Sequence, residues 1–279
     1  MRQTLISGIF GATFLVAFTS GAIADVTAGL TALDAGDAQT AASEFQASYE
    51  AGDGDGAFYL GRLFELGVGT DKDLNRAANL YAAGAERGSV QAMNRLGLMY
   101  LEGTTLLRDY AAAKDQFCKA ADLGDQNGQL NCALLLKDGK GGEQDPTRAA
   151  ELMELAGGQG NIAAKNLLAI MLLSGDGVPA DKDRAVALFT ETANQGNAMG
   201  LFQLANLAMS PEGEAEPDLI AAYSWANLAA VRGHAQAQKL RDDLETQMSV
   251  EDVAAAQAQS REWTNARLAE QNAADTTSN

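Results

Sequence analysis

A glycine recurs along this chain at a nearly constant interval of 36 residues. The series consists of Gly52, Gly88, Gly124, Gly160, Gly196 and Gly233, the last after a step of 37. A second series with the same step consists of Gly67, Gly103, Gly139 and Gly175. Two glycines per period, with helix-forming sequence between them, indicate a pair of helices joined by turns and copied along the chain. Such units bury their apolar faces only by stacking, so we predict an all-α fold, an α/α superhelical solenoid of about five repeats.

Large apolar residues follow the same period. In the first helix of each unit a small residue lies beside a large one, as in Leu60-Gly61 before Phe64 and Leu96-Gly97 before Tyr100. This pattern favours close approach of two helices. In the second helix the recurring positions are Tyr81, Phe117, Met153, Phe189 and Trp225. We predict that these five side chains fill the core and bind no cofactor.

The turn sequences predict helix caps. Asp71-Lys72-Asp73 follows one glycine turn, and Asp181-Lys182-Asp183 follows a later one. Aspartate at these places accepts hydrogen bonds from the free amides of the next helix. The string Asp71–Asn75 also suggests a calcium loop, but Arg76 replaces the turn glycine and Ala82 replaces the bidentate glutamate. Capping is therefore the better interpretation, and we predict no metal site.

One run of the chain is similar to a known repeat. Ala92, Leu96-Gly97, Tyr100 and Gly103, closed by Lys119-Ala120-Ala121 and Gly124, resemble the SEL-one-like repeat, a relative of the tetratricopeptide repeat. The resemblance covers about residues 55–233. Residues 25–54 are predicted to form a capping helical hairpin, and residues 234–270 two capping helices. The small, polar residues 271–279 are predicted to be a disordered tail.

The start of the chain has the pattern of a signal peptide. Arg2 precedes an apolar stretch from about Leu5 to Phe18, and Ala22-Ile23-Ala24 matches the small-x-small cleavage pattern. We predict a signal peptide at residues 1–24, with cleavage between Ala24 and Asp25. The alternative is an amphipathic first helix or a membrane anchor. Cleavage would give a periplasmic protein, with secretion from the cell, for example into a host, as a further alternative.

The net charge of the chain limits the classes of partner that it can bind. It has 20 Lys and Arg against 37 Asp and Glu, a net charge of -17, and 47% of its residues are hydrophobic. A chain with this composition is expected to have a hydrophobic core and an acidic surface. The acidic surface repels nucleic acid and anionic lipid. We therefore predict no nucleic-acid partner and no membrane insertion after signal cleavage.

The resemblance to tetratricopeptide solenoids implies that the first helices line a concave groove. The predicted groove residues form two rows: Phe58, Asn94, Leu130, Asn166 and Phe202, then Arg62, Leu98, Leu134, Ile170 and Asn206. Asparagine amides among apolar side chains would suit an extended peptide. The alternative is that these residues only pack on one another.

Two cysteines, Cys118 and Cys132, flank the Gly124 turn. Helices on either side of a short turn are antiparallel, so the two side chains are predicted to meet, and an exported protein encounters oxidising conditions. We predict a disulfide between them. The alternative is a buried free thiol at Cys132, which aligns with the core residue Leu96.

No residue pattern nominates a catalytic centre. His234 is the only histidine, and neither a nucleophile motif nor a phosphate-binding loop is present in the sequence. We predict a non-enzymatic scaffold or adaptor, without cofactor, that binds a protein or peptide partner. The resemblance implies a role in envelope assembly or in the regulation of signalling. The alternative is a protein that binds or hydrolyses cell-wall material, such as peptidoglycan or a β-lactam.

Overall fold

The computed structural model of the protein describes residues 26–210 and 216–277. The predicted signal peptide and its cleavage site at Ala24 and Asp25 lie outside these residues. All regular secondary structure in the two described ranges is helical and comprises 14 helices, as the solenoid prediction requires. The chain divides into two compact units, one ending at Ser89 and one starting at Val90.

The described part of unit 1, residues 26–89, contains four helices. They are α1 (Thr27–Asp34), α2 (Ala38–Glu50), α3 (Gly54–Leu66) and α4 (Leu74–Glu86). Each helix packs against the next one along the chain. Ala41 and Phe45 of α2 form a small apolar core with Leu60 and Leu63 of α3.

Ten helices occur in the described residues of unit 2, 90–210 and 216–277. They are α5 (Val90–Glu102), α6 (Tyr110–Asp122), α7 (Gln126–Asp138), α8 (Pro146–Gly158), α9 (Ile162–Ser174), α10 (Lys182–Asn194), α11 (Ala198–Met209), α12 (Leu219–Val231), α13 (Ala235–Glu245) and α14 (Val250–Thr277). Consecutive helices pack against each other from α5 to α13, and α12 also packs against α14. One apolar cluster extends from Ala113 on α6 to Ala237 on α13, because each pair of helices covers the apolar face of the previous pair.

Aspartate caps begin eight of the 14 described helices, as the turn sequences predict. The carboxylate of Asp73 accepts a 2.9 Å hydrogen bond from the Arg76 amide at the start of α4. Asp181 does the same for the Arg184 amide at the start of α10. Asp73 thus has a capping role within the string that resembles a calcium loop. The described part of the chain contains no cluster of three or more His, Cys, Asp or Glu that could hold a metal ion.

Four of the five predicted core residues are fully buried. Tyr81, Phe117, Met153 and Phe189 are each 0% exposed. Gly97 shows why the first helix of a repeat has a small residue where it faces such a side chain. A Cβ on Gly97 would lie 2.7 Å from the Phe117 ring. Trp225 differs because it is only partly buried and packs edge-to-face on Trp263 of α14. Its large indole lies near the end of the array, where fewer helices cover it.

The C-terminal region differs from the prediction in its boundaries. Two helices, α13 and α14, follow the repeats, and α14 is 28 residues long and continues to Thr277, through much of the predicted disordered tail. Alanines at 273 and 274 favour helix, and neither glycine nor proline interrupts this segment. Helix propensity therefore outweighs the small, polar composition that suggested disorder.

Two turn glycines allow a matched test of the repeat geometry. Gly160 and Gly177 both have positive φ, at 97° and 74°. A Cβ on Gly160 would meet no atom within 4 Å, whereas one on Gly177 would collide with the backbone of Pro146. We expect Gly160→Ala to lower the free energy of unfolding by about 1 kcal/mol through backbone strain alone. Gly177→Ala should cost about 1–3 kcal/mol more, since the Pro146 backbone must move. Urea denaturation of both variants checks this, and equal losses would contradict the close approach at Gly177.

Candidate functional site

The predicted groove residues all lie on odd-numbered helices. Phe58 and Arg62 are on α3 of unit 1, and the other residues are on α5, α7, α9 and α11 of unit 2. The side chains in each unit have different environments, which decide whether they are available to a partner.

In unit 1 the two predicted groove residues join an internal network. Arg62 donates a 2.6 Å hydrogen bond to the buried carboxylate of Glu65, which also accepts a 2.5 Å bond from the Tyr81 hydroxyl. The Phe58 ring packs against Tyr59 and Tyr81, with centroid distances of 5.1 and 5.8 Å. These contacts fix the α3–α4 pair and leave Phe58 and Arg62 only partly exposed.

Two asparagines connect one repeat to the next. The Asn94 amide donates a 2.7 Å hydrogen bond to Asp125, the N-cap of α7. The Asn166 amide donates a 2.9 Å bond to Asn197, the N-cap of α11. Both bonds span 31 residues and therefore link a helix to the start of the equivalent helix in the next repeat.

This finding revises the predicted role of the asparagines. Asn166 is 5% exposed, and its carbonyl oxygen accepts a 2.7 Å bond from the Thr192 hydroxyl. Its amide therefore has partners within the molecule and is not free to bind the backbone of a peptide. The amide nitrogen of Asn94 is likewise used for Asp125. The 36-residue spacing relates Asn166 to Asn94, but it does not indicate the hydrogen bond that each makes to the next N-cap.

Phe202 makes the equivalent contact by aromatic stacking. Its ring lies 4.3 Å from that of His234, with an interplanar angle of 27°. His234 is the N-cap of α13, where its Nδ1 accepts a 3.2 Å bond from the Ala237 amide. The only histidine of the chain thus has a structural role at a helix start.

The apolar groove residues of unit 2 remain partly exposed. They are Leu98, Leu130, Leu134, Ile170 and Phe202, and each packs against the main core cluster of unit 2. Side chains of this kind are anchored on one side and offer apolar surface on the other. The apolar side chains predicted for the groove in unit 2 are thus partly open to solvent.

A cleft of about 300 Å³ lies between α11 and α13. Phe202 and Asn206 line it from α11, and α13 contributes Gln236, Lys239, Leu240 and Asp243. The α13 residues of this cleft also carry a signal in the sequence. Lys239 and Asp243 follow Phe202 and Asn206 by the 37-residue step that separates Gly196 from Gly233. Extending the two rows into the capping helix would have identified them.

A disulfide joins the pair of helices α6 and α7. Cys118 and Cys132 are bonded, with their Cα atoms 5.0 Å apart. Cys132 is buried in the core cluster, so it has the core position suggested by its alignment with Leu96 and also takes part in the bridge.

The clear pKa shifts occur at local surface contacts. Hydrogen bonds from the hydroxyl and amide of Thr40 lower the pKa of Asp37, the N-cap of α2. A hydrogen bond to Asp138 raises the pKa of Lys140. Both groups are exposed, and neither lines the α11–α13 cleft. Shifts with such local causes do not identify a catalytic pair.

Among the described helices, none is long and apolar enough to cross a membrane.

A family model of the Sel1 repeat matches five consecutive segments of the chain. They are residues 54–89, 90–125, 126–161, 162–197 and 198–234. A comparison with curated proteins found no match.

Two solved structures illustrate the similarity. The protective antigen c5321 of uropathogenic Escherichia coli, which has an SLR fold, is 28% identical, with a TM-score of 0.71 over 83% of this chain. The match covers 49% of the c5321 chain, so the present chain spans about half of its length. A Sel1 repeat protein from Oxalobacter formigenes is 23% identical, with a TM-score of 0.74, and the match covers 89% of this chain and 100% of that one. The second likeness shows the fold alone.

Proposed function

Because the chain belongs to the Sel1 repeat family, we propose that it is a non-enzymatic scaffold or adaptor whose partner binds to the odd-numbered helices of unit 2. Sel1 repeat proteins typically mediate protein–protein interaction. The observation that carries the proposal for this chain is the row of partly exposed apolar side chains that leads to the α11–α13 cleft.

The cleft combines the groups that hold a peptide. Phe202 and Leu240 provide apolar surface, Asn206 and Gln236 provide amides, and Lys239 and Asp243 provide opposite charges. Apolar walls with a few polar groups are typical of binding sites, because burial supplies affinity and hydrogen bonds supply orientation. The Asn206 amide donates a 3.3 Å bond to Gln203, so we assign the peptide hydrogen bonds to Gln236 and to the carbonyl oxygen of Asn206, in place of Asn94 and Asn166.

We also propose that the protein acts in the bacterial periplasm, in envelope assembly or in regulating a membrane protein through its periplasmic domain. The signal-peptide pattern at residues 1–24 supports this location. The Cys118–Cys132 disulfide supports it as well, since disulfides persist in oxidising compartments.

Site-specific photocrosslinking in cells tests the binding surface. A photoreactive amino acid is placed at Leu134 or Asn206, and the adducts are identified by mass spectrometry. Leu155 on α8, 52% exposed, is the matched control on an even-numbered helix. We expect the same envelope protein to be captured from Leu134 and Asn206 and not from Leu155. Capture from Leu155 alone, or none from folded protein at Leu134 and Asn206, would contradict the proposed surface.

The non-enzymatic part of the proposal has its own test. Purified protein is incubated with peptidoglycan, and the soluble products are analysed by chromatography. We expect no products above the buffer control. Release of cell-wall fragments that is lost on substituting one acidic residue would overturn this part of the proposal.

A further inference from the structure

A second cleft, of about 650 Å³, lies between α12 and α14. Arg232 and Val231 at the end of α12 line one side, and Arg261 and Gln257 of α14 line the other. It shares no lining residue with the α11–α13 cleft. The cleft lies at the end of the last regular repeat, where α14 packs against α12.

Among the residues that the structure describes, the two arginines of this cleft have no acidic partner. Arg232 donates to the backbone carbonyl of Leu228 at 2.9 Å, and its guanidinium lies 5.4 Å from the centre of the Trp263 ring. Within the described ranges, neither Arg232 nor Arg261 forms an ion pair, and no Asp or Glu lines the cleft. The chain has 37 acidic residues against 20 basic ones. A cleft lined by two arginines and by no described acidic residue therefore differs in charge from the chain as a whole.

We propose that the α12–α14 cleft binds a carboxylate carried by a peptide segment of a protein partner. A guanidinium presents paired N–H donors that match the two oxygens of a carboxylate. Asn227, Gln257 and Asn265 add amide groups around the arginines. Val231, 78% exposed, offers apolar surface to the neighbouring part of the ligand.

The net charge of the protein argues for a ligand with few charges. A chain of net charge -17 repels polyanions such as nucleic acid along their whole length. A single carboxylate avoids most of this repulsion, because distant acidic residues are screened beyond about 10 Å at 0.1 M salt. The carboxylate is either the free C-terminus of the partner or an aspartate or glutamate side chain. This inference does not depend on the surface proposed above, since different helices and residues carry it.

Three short peptides separate the sources of the carboxylate. The probes are an acetylated alanine–alanine–valine peptide with a free C-terminus, the same peptide with an amidated C-terminus, and an amidated peptide in which the central alanine is aspartate. Calorimetric titration gives each affinity. Trp225 and Trp263, the only two tryptophans of the chain, report binding near the cleft by fluorescence. We expect one of the carboxylate peptides to bind at least about 10-fold more tightly than the amidated peptide.

Charge-removing variants locate the binding. The double variant Arg232→Gln and Arg261→Gln should lose this preference for the carboxylate peptide. Arg184→Gln, which removes an exposed arginine paired with Glu154 on other helices, is the matched control and should bind as the wild type does. Thermal unfolding confirms that each variant is folded. Equal affinity for carboxylate and amidated peptides, no measurable binding of any probe, or unchanged binding by the double variant would overturn the proposal.

Discussion

Replacing Phe189 with alanine is expected to lower the free energy of unfolding by about 3–5 kcal/mol, the largest effect of any single substitution considered for this protein. Phe189 is 0% exposed and belongs to the main apolar cluster of unit 2. Removing the ring loses its burial and leaves a cavity, because neighbouring repeats hold the surrounding helices in place. Urea denaturation followed by tryptophan fluorescence measures the loss, since both tryptophans lie in unit 2.

Leu155→Ala is the control for this experiment. Leu155 is an apolar residue of the same unit, but about half of its surface is exposed, so its loss should cost no more than about 0.5 kcal/mol. A Phe189→Ala variant as stable as Leu155→Ala would show that the recurring large residues are not the core of the repeats.

Reducing the Cys118–Cys132 disulfide is expected to lower the free energy of unfolding by about 3 kcal/mol. The bridge closes a loop with a sequence separation of 14 residues, and it limits the conformations of the unfolded chain over that segment. Urea denaturation of the same protein with and without a thiol reductant measures the difference, so no packing change from a mutation intervenes.

A double variant, Cys118→Ala and Cys132→Ala, provides the control for the reductant. Its stability should resemble that of the reduced wild type and should not respond to added reductant. Equal unfolding midpoints for oxidised and reduced wild-type protein, with reduction verified by counting free thiols, would contradict a stabilising bridge.

The repeat could be predicted from sequence because each of its features follows from local chemistry. The turn glycines adopt positive φ, as at Gly67 at the end of α3, and an L side chain rarely does so. The aspartate caps and the buried large residues recur in the same phase, so that independent signals specify the same helix boundaries.

The candidate site was less predictable because its residues act through other repeats. The positions of Asn94 and Asn166 in the repeat predict that they line the groove, but their amides donate to N-cap residues 31 positions later. The sequence of one helix does not reveal such a pairing. Gln236 and Lys239 were missed because the rows were not extended into α13. The arginine cleft depends on the packing of α14 on α12, which departs from the regular order of neighbouring helices.

The central claim, partner binding on the odd-numbered helices of unit 2, is tested most directly by measuring the affinity of the crosslinked partner for three proteins. These are the wild type, Leu134→Glu and the control Leu155→Glu. The account predicts that Leu134→Glu weakens binding at least about 10-fold, because it places a charge on the apolar row, and that Leu155→Glu leaves the affinity unchanged. Equal affinity for the wild type and a folded Leu134→Glu variant would contradict it.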